Sequence, residues 1–564
     1  MNIEDFVIIN KPIHDDEELM SIMNDFIFEI KKNNLITSKD LDIQYNCLKQ
    51  IYKMIPSKID LRRVFKNHFS NYLSGKQLIE FNRWLIKKIM RSESGVLVVT
   101  VVVKPGKDIK FSCPEKCAYC PTETDLEGNP TQPKSYISTE PAMLRALRSN
   151  FDIKNQVFDR LTAYYNMGNF ELNNHKKKIE VIISGGTWDV LPWKYRNEVI
   201  NDLYYAFNVF IDKLNGFEIR KIKTLEEEIK ENELADFGVV GLTIETRPDY
   251  ITKYTINDYL KIGVTRVQIG VQHFNDDILK LIKRGCTTKH TIDAIRLLKG
   301  VGLKVVVHLM PDLPGSNVQE DFMMFYRAIK DPALQFDDIK IYPCAVVPFT
   351  KIKELYDAGI YKPYDDKYLY DLIKNFKINI SKQFRINRII RDISGHYIEG
   401  GYSQQFASIR QNLEKDMKAN NWCCKCIRCR EIKGNIIDEE IKLDIMEYKA
   451  SEGNEYFISF ETSKYLIGFI RLRLNFNNDN VLPILKNTAL IRELHVYSTL
   501  SNVGANDLYS LQHKGFGTKL IEKAEEIAKS FDFKSIAIIA GTGVRNYYKK
   551  FGYTLEDTFM IKHF

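Results

Sequence analysis

This sequence of 564 residues predicts an α/β protein: an open parallel barrel of six strand–helix units, a helical region before it and a smaller α/β domain after it. Three observations carry that expectation. Apolar, non-alternating runs of strand length recur at Val96–Val103, Glu180–Ser184, Val239–Ile244, Arg266–Val271, Lys304–Met310 and Asp338–Tyr342. Amphipathic stretches of helix length, such as Thr288–Lys299 and Val318–Ile329, separate most of them, as they do where helices cover both faces of a parallel sheet. Further on, a new set of short strand runs precedes a glycine-rich loop that opens a helix. The expected divisions are 1–92 helical and basic, 93–400 the barrel, 401–438 a cysteine-bearing linker and 439–564 the terminal domain. A prior of ~150 residues per domain agrees with three or four units.

Composition narrows the class. Apolar residues make up 44% and charged residues 27%, the balance of an ordinary soluble protein. The opening MNIEDFVIINKPIHDDEE places acids where a signal peptide would be basic and then apolar. No uncharged apolar run approaches the ~18 residues of a membrane span. Seven of the ten cysteines fall in two tight clusters, 113–120 and 423–429. That usage reads as metal binding in a reducing compartment, cytosolic or nuclear, and not as a disulfide framework.

In residues 1–92 apolar positions recur every three or four residues, with a break at Pro56, so helices are expected. Between Lys49 and Arg91 eleven Lys/Arg stand against two acids, Asp60 and Glu80. Tyr52, Phe65, Phe69, Tyr72, Phe81 and Trp84 are interleaved with them. Cations for phosphates beside rings for bases suit a structured RNA. Arg62, Arg63, Lys66, Lys87 and Lys88 are the expected backbone contacts. The alternative is a solvated basic face over an aromatic core.

Chemistry in a parallel barrel belongs at the carboxyl ends of its strands. There the first strand runs into CPEKCAYC, with Cys113, Cys117 and Cys120. Three thiolates can hold three irons of a cubane 4Fe–4S cluster and leave the fourth iron open. In radical enzymes S-adenosylmethionine chelates that iron, and one electron from the cluster releases a 5′-deoxyadenosyl radical. A zinc knuckle or a structural cysteine cluster could share the spacing, but the other strand ends favour the radical reading. The second strand meets Gly185, Gly186 and Thr187, where glycines let a backbone approach a ligand. The third ends at Glu245, and the fourth, VQIGVQ, offers Gln268 and Gln272 on one face. These residues together predict a site for S-adenosylmethionine.

Residues 422–431, WCCKCIRCRE, bring four thiols close together. Adjacent cysteines rarely share one ion, so Cys424, Cys426 and Cys429 are the expected zinc ligands. Cys423, Cys344 or His396 would be the fourth; buried free thiols are the alternative.

In the terminal domain, strand runs at Tyr456–Glu461, Leu466–Leu474 and Ala489–Tyr497 precede Gln512-His-Lys-Gly515-Phe516-Gly517-Thr518, which opens a helix. Free N–H groups and the positive dipole end at such a start suit a pyrophosphate. The strand–loop–helix–strand order resembles GCN5-related acyltransferases. In that fold Gly515 to Thr518 would take coenzyme A phosphates, and the backbone of Glu493, Leu494, His495 and Val496 would pair with pantetheine. Tyr547 or Tyr548 would lie beside the thioester sulfur.

A cubane radical motif, a zinc knuckle and an acetyl-CoA fold on one chain resemble the Elongator catalytic subunit family, the tRNA uridine 5-carboxymethyl synthases. The most specific stretches are CPEKCAYCP, GLTIETRPDY, RVQIGVQ, HLMPDLPG, IRELHVY, QHKGFG and VRNYYKKFGY. The resemblance implies a partial (β/α)6 radical SAM barrel, a GNAT-like domain, a 4Fe–4S cluster, S-adenosylmethionine, acetyl-CoA and zinc as cofactors, and the anticodon loop of tRNA as substrate. It gives Lys178 an acetyl-CoA contact from the barrel side and Tyr548 one from the terminal domain. It departs from the family in spacing its first two cluster cysteines by three residues and in carrying CPTETD after the cluster. Whether the chain acts alone, as a homodimer or with Elongator-type subunits is left open. The implied reaction takes a hydrogen from the acetyl methyl group and adds that carbon to C5 of the wobble uridine; loss of an electron and a proton from the adduct, with thioester hydrolysis, leaves a carboxymethyl group. The rival reading is a protein lysine acetyltransferase with Glu493 as general base; a third is a tRNA-binding scaffold without catalysis.

Overall fold

The computed structural model describes residues 16–35, 37–53, 56–86, 95–105, 113–170, 176–403, 406, 408–432, 437, 439–476, 482–497 and 515–564. Lys87, Lys88 and Gln512 lie outside the described residues. The chain divides into two compact units, Met1–Ser92 with Phe158–His175, and Glu93–Val157 with Lys176–Phe564. Among the described residues no helix is long and apolar enough to cross a membrane.

The first unit is helical, as the three- and four-residue spacing predicts: α1 (Asp16–Lys32), α2 (Ser38–Tyr52), α3 (Lys58–Val64) and α4 (Gly75–Leu85). Thr37 and Ser57 cap α2 and α3 by accepting from the N–H of Asp40 (3.2 Å) and Asp60 (3.1 Å). The interleaved rings are core. Phe26 meets Phe81 and Trp84 edge-on at 5.2 Å, and Phe65 meets Phe81 at 5.0 Å. This corrects the base-stacking expectation for Phe65, Phe69, Phe81 and Trp84, all of which are buried. Arg62 is corrected too. It is 6% exposed, donates to the carbonyl of Tyr165 at 3.4 Å and lies against Gly168, so it fastens the helices to residues 158–170 and does not face a phosphate. Arg63 and Lys66 are half-buried on the same stretch.

The second unit holds two seven-stranded sheets and a two-stranded ribbon that pairs Ala345–Val346 with Gly400–Gly401. The first is parallel throughout, in sequence order: β1 (Val96–Val102), β2 (Lys177–Ser184), β3 (Phe237–Thr246), β4 (Arg266–Gln272), β5 (Lys304–Leu309), β6 (Asp338–Ile341) and β7 (Arg385–Arg388). The seventh strand is one more than the sequence pattern suggested; its four residues, RINR, form no apolar run. One face of these strands buries aliphatic side chains such as Val99, Val181, Val267, Val305 and Ile339. The opposite face mixes valines of β1 with polar residues of β2 and of β4 to β6. Arg266 there bridges Glu180 and Asp338 (3.3 Å), and Asn387 donates to Asp338 at 3.0 Å.

The second sheet contains β8 (Lys442–Ala450), β9 (Gly453–Glu461), β10 (Leu466–Leu474), β11 (Thr488–Val496), β12 (Ser535–Ile538), β13 (Thr554–Glu556) and β14 (Phe559–His563), in the order β8-β9-β10-β11-β12-β14-β13. Its pairings are antiparallel except β11 with β12. Helix α5 (Phe516–Ser530) packs Leu520, Ile521, Ala524 and Ala528 on one face of it.

This sheet meets the barrel at the amino ends of its strands through a buried ionic cluster. Arg492 donates to Asp337 (2.6 and 2.9 Å), Glu455 (3.0 Å) and the carbonyl of Leu303 (2.9 Å). Lys299 and Arg473 also reach Glu455, each at 3.1 Å. Burial alone would raise the Glu455 carboxyl, but Arg492, Lys299 and Arg473 outweigh it and bring it down to about 2. Burial lowers Lys299 to about 8 against the pull of Glu455.

Candidate active site

The cysteine loop follows β1 at the carboxyl rim, as its place in the sequence requires. It is tied to its neighbours by backbone: Ala118 N–H donates to Ile282 (2.9 Å), Ile352 N–H to Ala118 (3.0 Å), and Thr122 N–H to Phe349 (3.0 Å). Lys134 donates to the carbonyls of Cys113 (2.8 Å) and Glu115 (3.1 Å). Burial pushes the Cys120 thiol up to about 12, and the neighbouring Cys117 and Cys113 push it the same way. A thiol held neutral in this way suits an added positive centre. Arg284, which the sequence reading missed, lies 3.7 Å from the sulfur of Cys117 and donates to the carbonyl of Gly270 (3.1 Å). Arg247 in turn donates to the Arg284 carbonyl (3.0 Å) and forks onto Asp249 (2.8 and 3.0 Å). Nothing in the run IKRGC marks Arg284; only the fold brings it to the thiols.

Around this rim Gly185 has φ +151, and a Cβ there would sit 2.2 Å from Val103 Cγ2, so only glycine fits. Thr187 is buried next to it. Glu245 accepts from the hydroxyl of Tyr136. Gln272 ends β4 at φ +73 behind a register break, in a region L side chains avoid, and its Oε1 is buried without a partner. A strained strand end with an orphan acceptor, close to the Gly270 that Arg284 also contacts, fits a ligand contact there. Gln268 differs from expectation. The register break removes the simple i, i+4 relation, and Gln268 lies deeper in the barrel, where Lys340 and His308 (3.0 Å) hold its carboxamide.

At the other end, β11 pairs with β12 only as far as Ile491↔Ile538, while β11 continues to Val496. A bulge facing β10 sets Arg492 apart as the extra residue, turning it toward the barrel. The backbone of Glu493, Leu494, His495 and Val496 is thereby left beyond the parallel pairing. Helix α5 starts here with Gly515 at φ +72, so the N–H groups of Phe516, Gly517 and Thr518 have no intrahelical acceptor. A Cβ on Gly517 would come within 2.6 Å of the Tyr547 hydroxyl. The two tyrosines therefore divide. Tyr547 reaches the helix start and is 37% exposed, whereas Tyr548 is buried in the sheet–helix core.

Glu493 accepts from Lys304 on β5 and from Arg471, both at 2.9 Å. Burial opposes ionisation, yet these two cations hold its carboxyl far below the carboxylate range. Lys178, at the start of β2, is accessible to solvent but closely surrounded by protein, and that surrounding lowers its pKa. His495 is lowered to about 3 by burial and by Arg385, Lys304 and Lys178 against the pull of Glu493, and its Nε2 has no partner.

Comparison with known proteins places these two ends. Residues 110–328 match the Radical SAM superfamily, 336–425 the Radical_SAM C-terminal domain and 428–553 the Acetyltransferase (GNAT) family. The tRNA uridine(34) acetyltransferase of Methanocaldococcus jannaschii is 39% identical over 85% of this chain and 86% of its own length. Elongator complex protein 3 of Schizosaccharomyces pombe is 36% identical over 85% and 87%. The structure of archaeal Methanocaldococcus infernus Elp3 with an N-terminal deletion superposes with a TM-score of 0.68 at 34% identity, covering 83% of this chain and 99% of that one. The chain belongs to the Elongator complex protein 3 family. Its parallel sheet is a radical SAM half-barrel and its second sheet is GNAT-like. Membership of these domain families implies S-adenosylmethionine, a 4Fe–4S cluster and acetyl-CoA.

In this family member the second cysteine cluster draws together as expected. Among the described residues Cys424, Cys426 and Cys429 are the one group of potential ligands converging within 4.8 Å. None of the expected fourth ligands joins them. Cys423 is exposed, and Cys344 is buried against Tyr361 and the cluster-side core. The fully buried Lys377 instead donates to Cys429 at 3.5 Å. Three thiolates around a divalent ion carry a net single negative charge, which that ammonium would offset.

Proposed function

We propose that this protein modifies the wobble uridine of tRNA, forming 5-carboxymethyluridine from the acetyl group of acetyl-CoA by S-adenosylmethionine-derived radical chemistry. One observation carries the reading: a single compact unit has three thiols following the first strand of a parallel half-barrel and a GNAT-like sheet with a glycine-led helix start. The relatives named tRNA uridine(34) acetyltransferase support uridine 34 as the target. The bound cluster and S-adenosylmethionine would supply a 5′-deoxyadenosyl radical able to take a hydrogen from a methyl group.

The residues of the chain have distinct tasks in this reading. Cys113, Cys117 and Cys120 hold the cluster, with Arg284 donating to the Cys117 sulfur. Gly185, Gly186, Thr187, Glu245 and Gln272 shape the S-adenosylmethionine side. Gly515, Phe516, Gly517 and Thr518 present N–H groups to the coenzyme A phosphates, with Gln512 before them in the motif. The Glu493–Val496 backbone holds pantetheine, with Lys178 across from it. Tyr547, not Tyr548, stands by the cofactor. Arg63 and Lys66, with Lys87 and Lys88, bind RNA phosphates, and the base leaves the anticodon stack to enter the rim. Cys424, Cys426 and Cys429 hold a structural zinc.

Anaerobic incubation of the iron-reconstituted protein with S-adenosylmethionine, acetyl-CoA, dithionite and tRNA, followed by nucleoside mass spectrometry, tests this. Carboxymethyluridine at position 34 together with 5′-deoxyadenosine is expected. An iron-loaded protein that yields 5′-deoxyadenosine and no new nucleoside would refute it.

A further inference from the structure

Parallel barrels are ordinarily filled by layers of branched aliphatic side chains. Just below the carboxyl rim, this one carries Gln268, His308 and Lys340 on the inner face of β4, β5 and β6. The register places His308 level with Gly270 and Lys340, and Gln268 two residues deeper on β4. His308 and Lys340 are both partly accessible to solvent, so this level of the bore is not packed shut.

Their hydrogen bonds fix the chemistry they present. Lys340 Nζ can only donate, so the Gln268 atom it meets is the carboxamide oxygen. The same oxygen lies 3.0 Å from His308 Nε2, which must then carry the proton. His308 Nδ1 is then the unprotonated, accepting nitrogen, and the one hydrogen bond of this ring among the described residues is made by Nε2. Burial and the surrounding Lys340, Arg391, Arg284 and Arg388 all disfavour a second proton on this ring. The Tyr342 ring meets the imidazole at 5.4 Å and 71° and steadies it.

We propose that Lys340 and His308, oriented by Gln268, form the slot that reads the edge of the flipped uracil, an assignment that rests on the function proposed above. Uracil presents O4, an acceptor, next to N3–H, a donor. The ammonium of Lys340 matches O4 and the unprotonated Nδ1 of His308 matches N3–H. Cytosine reverses both positions, setting its amino group against the ammonium and its bare N3 against the imidazole lone pair. Recognition of this kind rejects the wrong base by leaving buried groups unpaired as well as by attraction.

The test uses the full-length reconstituted protein and anticodon stem–loop RNAs that differ only at position 34: uridine, cytidine or 3-methyluridine. Phosphate contacts are common to all three, so their affinity ratio reports the base alone. The wild-type protein is expected to favour uridine over both others by roughly 10- to 100-fold, the effect of one lost charge-assisted hydrogen bond. Lys340→Met and His308→Leu should each collapse the uridine–cytidine ratio toward unity, with cluster absorbance and circular dichroism unchanged. Equal wild-type affinity for uridine and 3-methyluridine would overturn the slot without any variant being needed, as would a full uridine preference in both folded variants. If the wild-type protein forms no modified nucleoside, the broader reading falls; if it does so without base discrimination, only this assignment falls.

Discussion

Replacing Arg492 by Met probes the joint between the two sheets. In the wild-type protein Arg492 neutralises Asp337 through two hydrogen bonds, touches Glu455 at 3.0 Å and holds the Leu303 carbonyl. Without it Asp337 keeps the Val305 N–H at 2.8 Å and a distant Arg471 at 3.8 Å. Glu455 keeps Lys299 and Arg473. Removing one partner of a buried ion pair costs about 3–5 kcal/mol because a charge is left without compensation. Urea m-values are about 1–3 kcal/mol per molar for small proteins and larger for a chain of this size, so that cost lowers the midpoint by roughly 0.5–1 M. The assay is urea unfolding followed by circular dichroism, repeated with Asp337→Asn in the same background. The second change should restore part of the loss, since it removes the stranded charge. A midpoint within about 0.3 M of wild type would show that the cluster does not hold the domains together, and the reasoning would fail.

Other predictions follow from the same geometry. Tyr547→Ala should weaken acetyl-CoA binding with little loss of stability, whereas Tyr548→Ala should leave a cavity in the sheet–helix core and cost about 3–5 kcal/mol in a thermal melt. Arg63→Glu with Lys66→Glu should weaken tRNA binding and reduce its salt dependence, measured by filter binding across salt, while Arg62→Glu should chiefly destabilise the helical unit. Acid should loosen the joint. The Glu455 carboxyl is lowered to about 2 in the folded protein, so its contribution is full above the unfolded value near ~4.3 and is lost as pH falls toward 2. A stability profile flat between pH 5 and 2.5 would contradict this.

Much of this was legible in the sequence because the signals are local. The cysteine spacing, the buried strands and the glycine helix start each occupy a few consecutive residues. What stayed hidden depends on partners far along the chain. RINR is a strand only because β6 pairs with it, and Arg62 is buried only because residues 158–170 return over α3. Gln268, His308 and Lys340 sit on three strands and converge only when the barrel forms. Tyr547 and Tyr548 are neighbours in sequence, and the ~100° helical step between them decided which one met the helix start.

Glu493 separates the two enzymatic readings. A general base for amine acetylation needs a pKa near the working pH. Here Lys304 and Arg471 each donate to the carboxylate at 2.9 Å, and both keep it ionised and weakly basic. Moreover Lys304 belongs to the radical SAM barrel, so the carboxylate joins the end of β11 to β5. Glu493→Gln should therefore loosen that contact and lower tRNA-dependent product formation, while leaving acetylation of lysine peptides at the uncatalysed background for both proteins. A wild-type protein that acetylates peptides, and loses that activity by on the order of 100-fold or more in Glu493→Gln, would reverse the assignment and make the terminal domain a transferase in its own right.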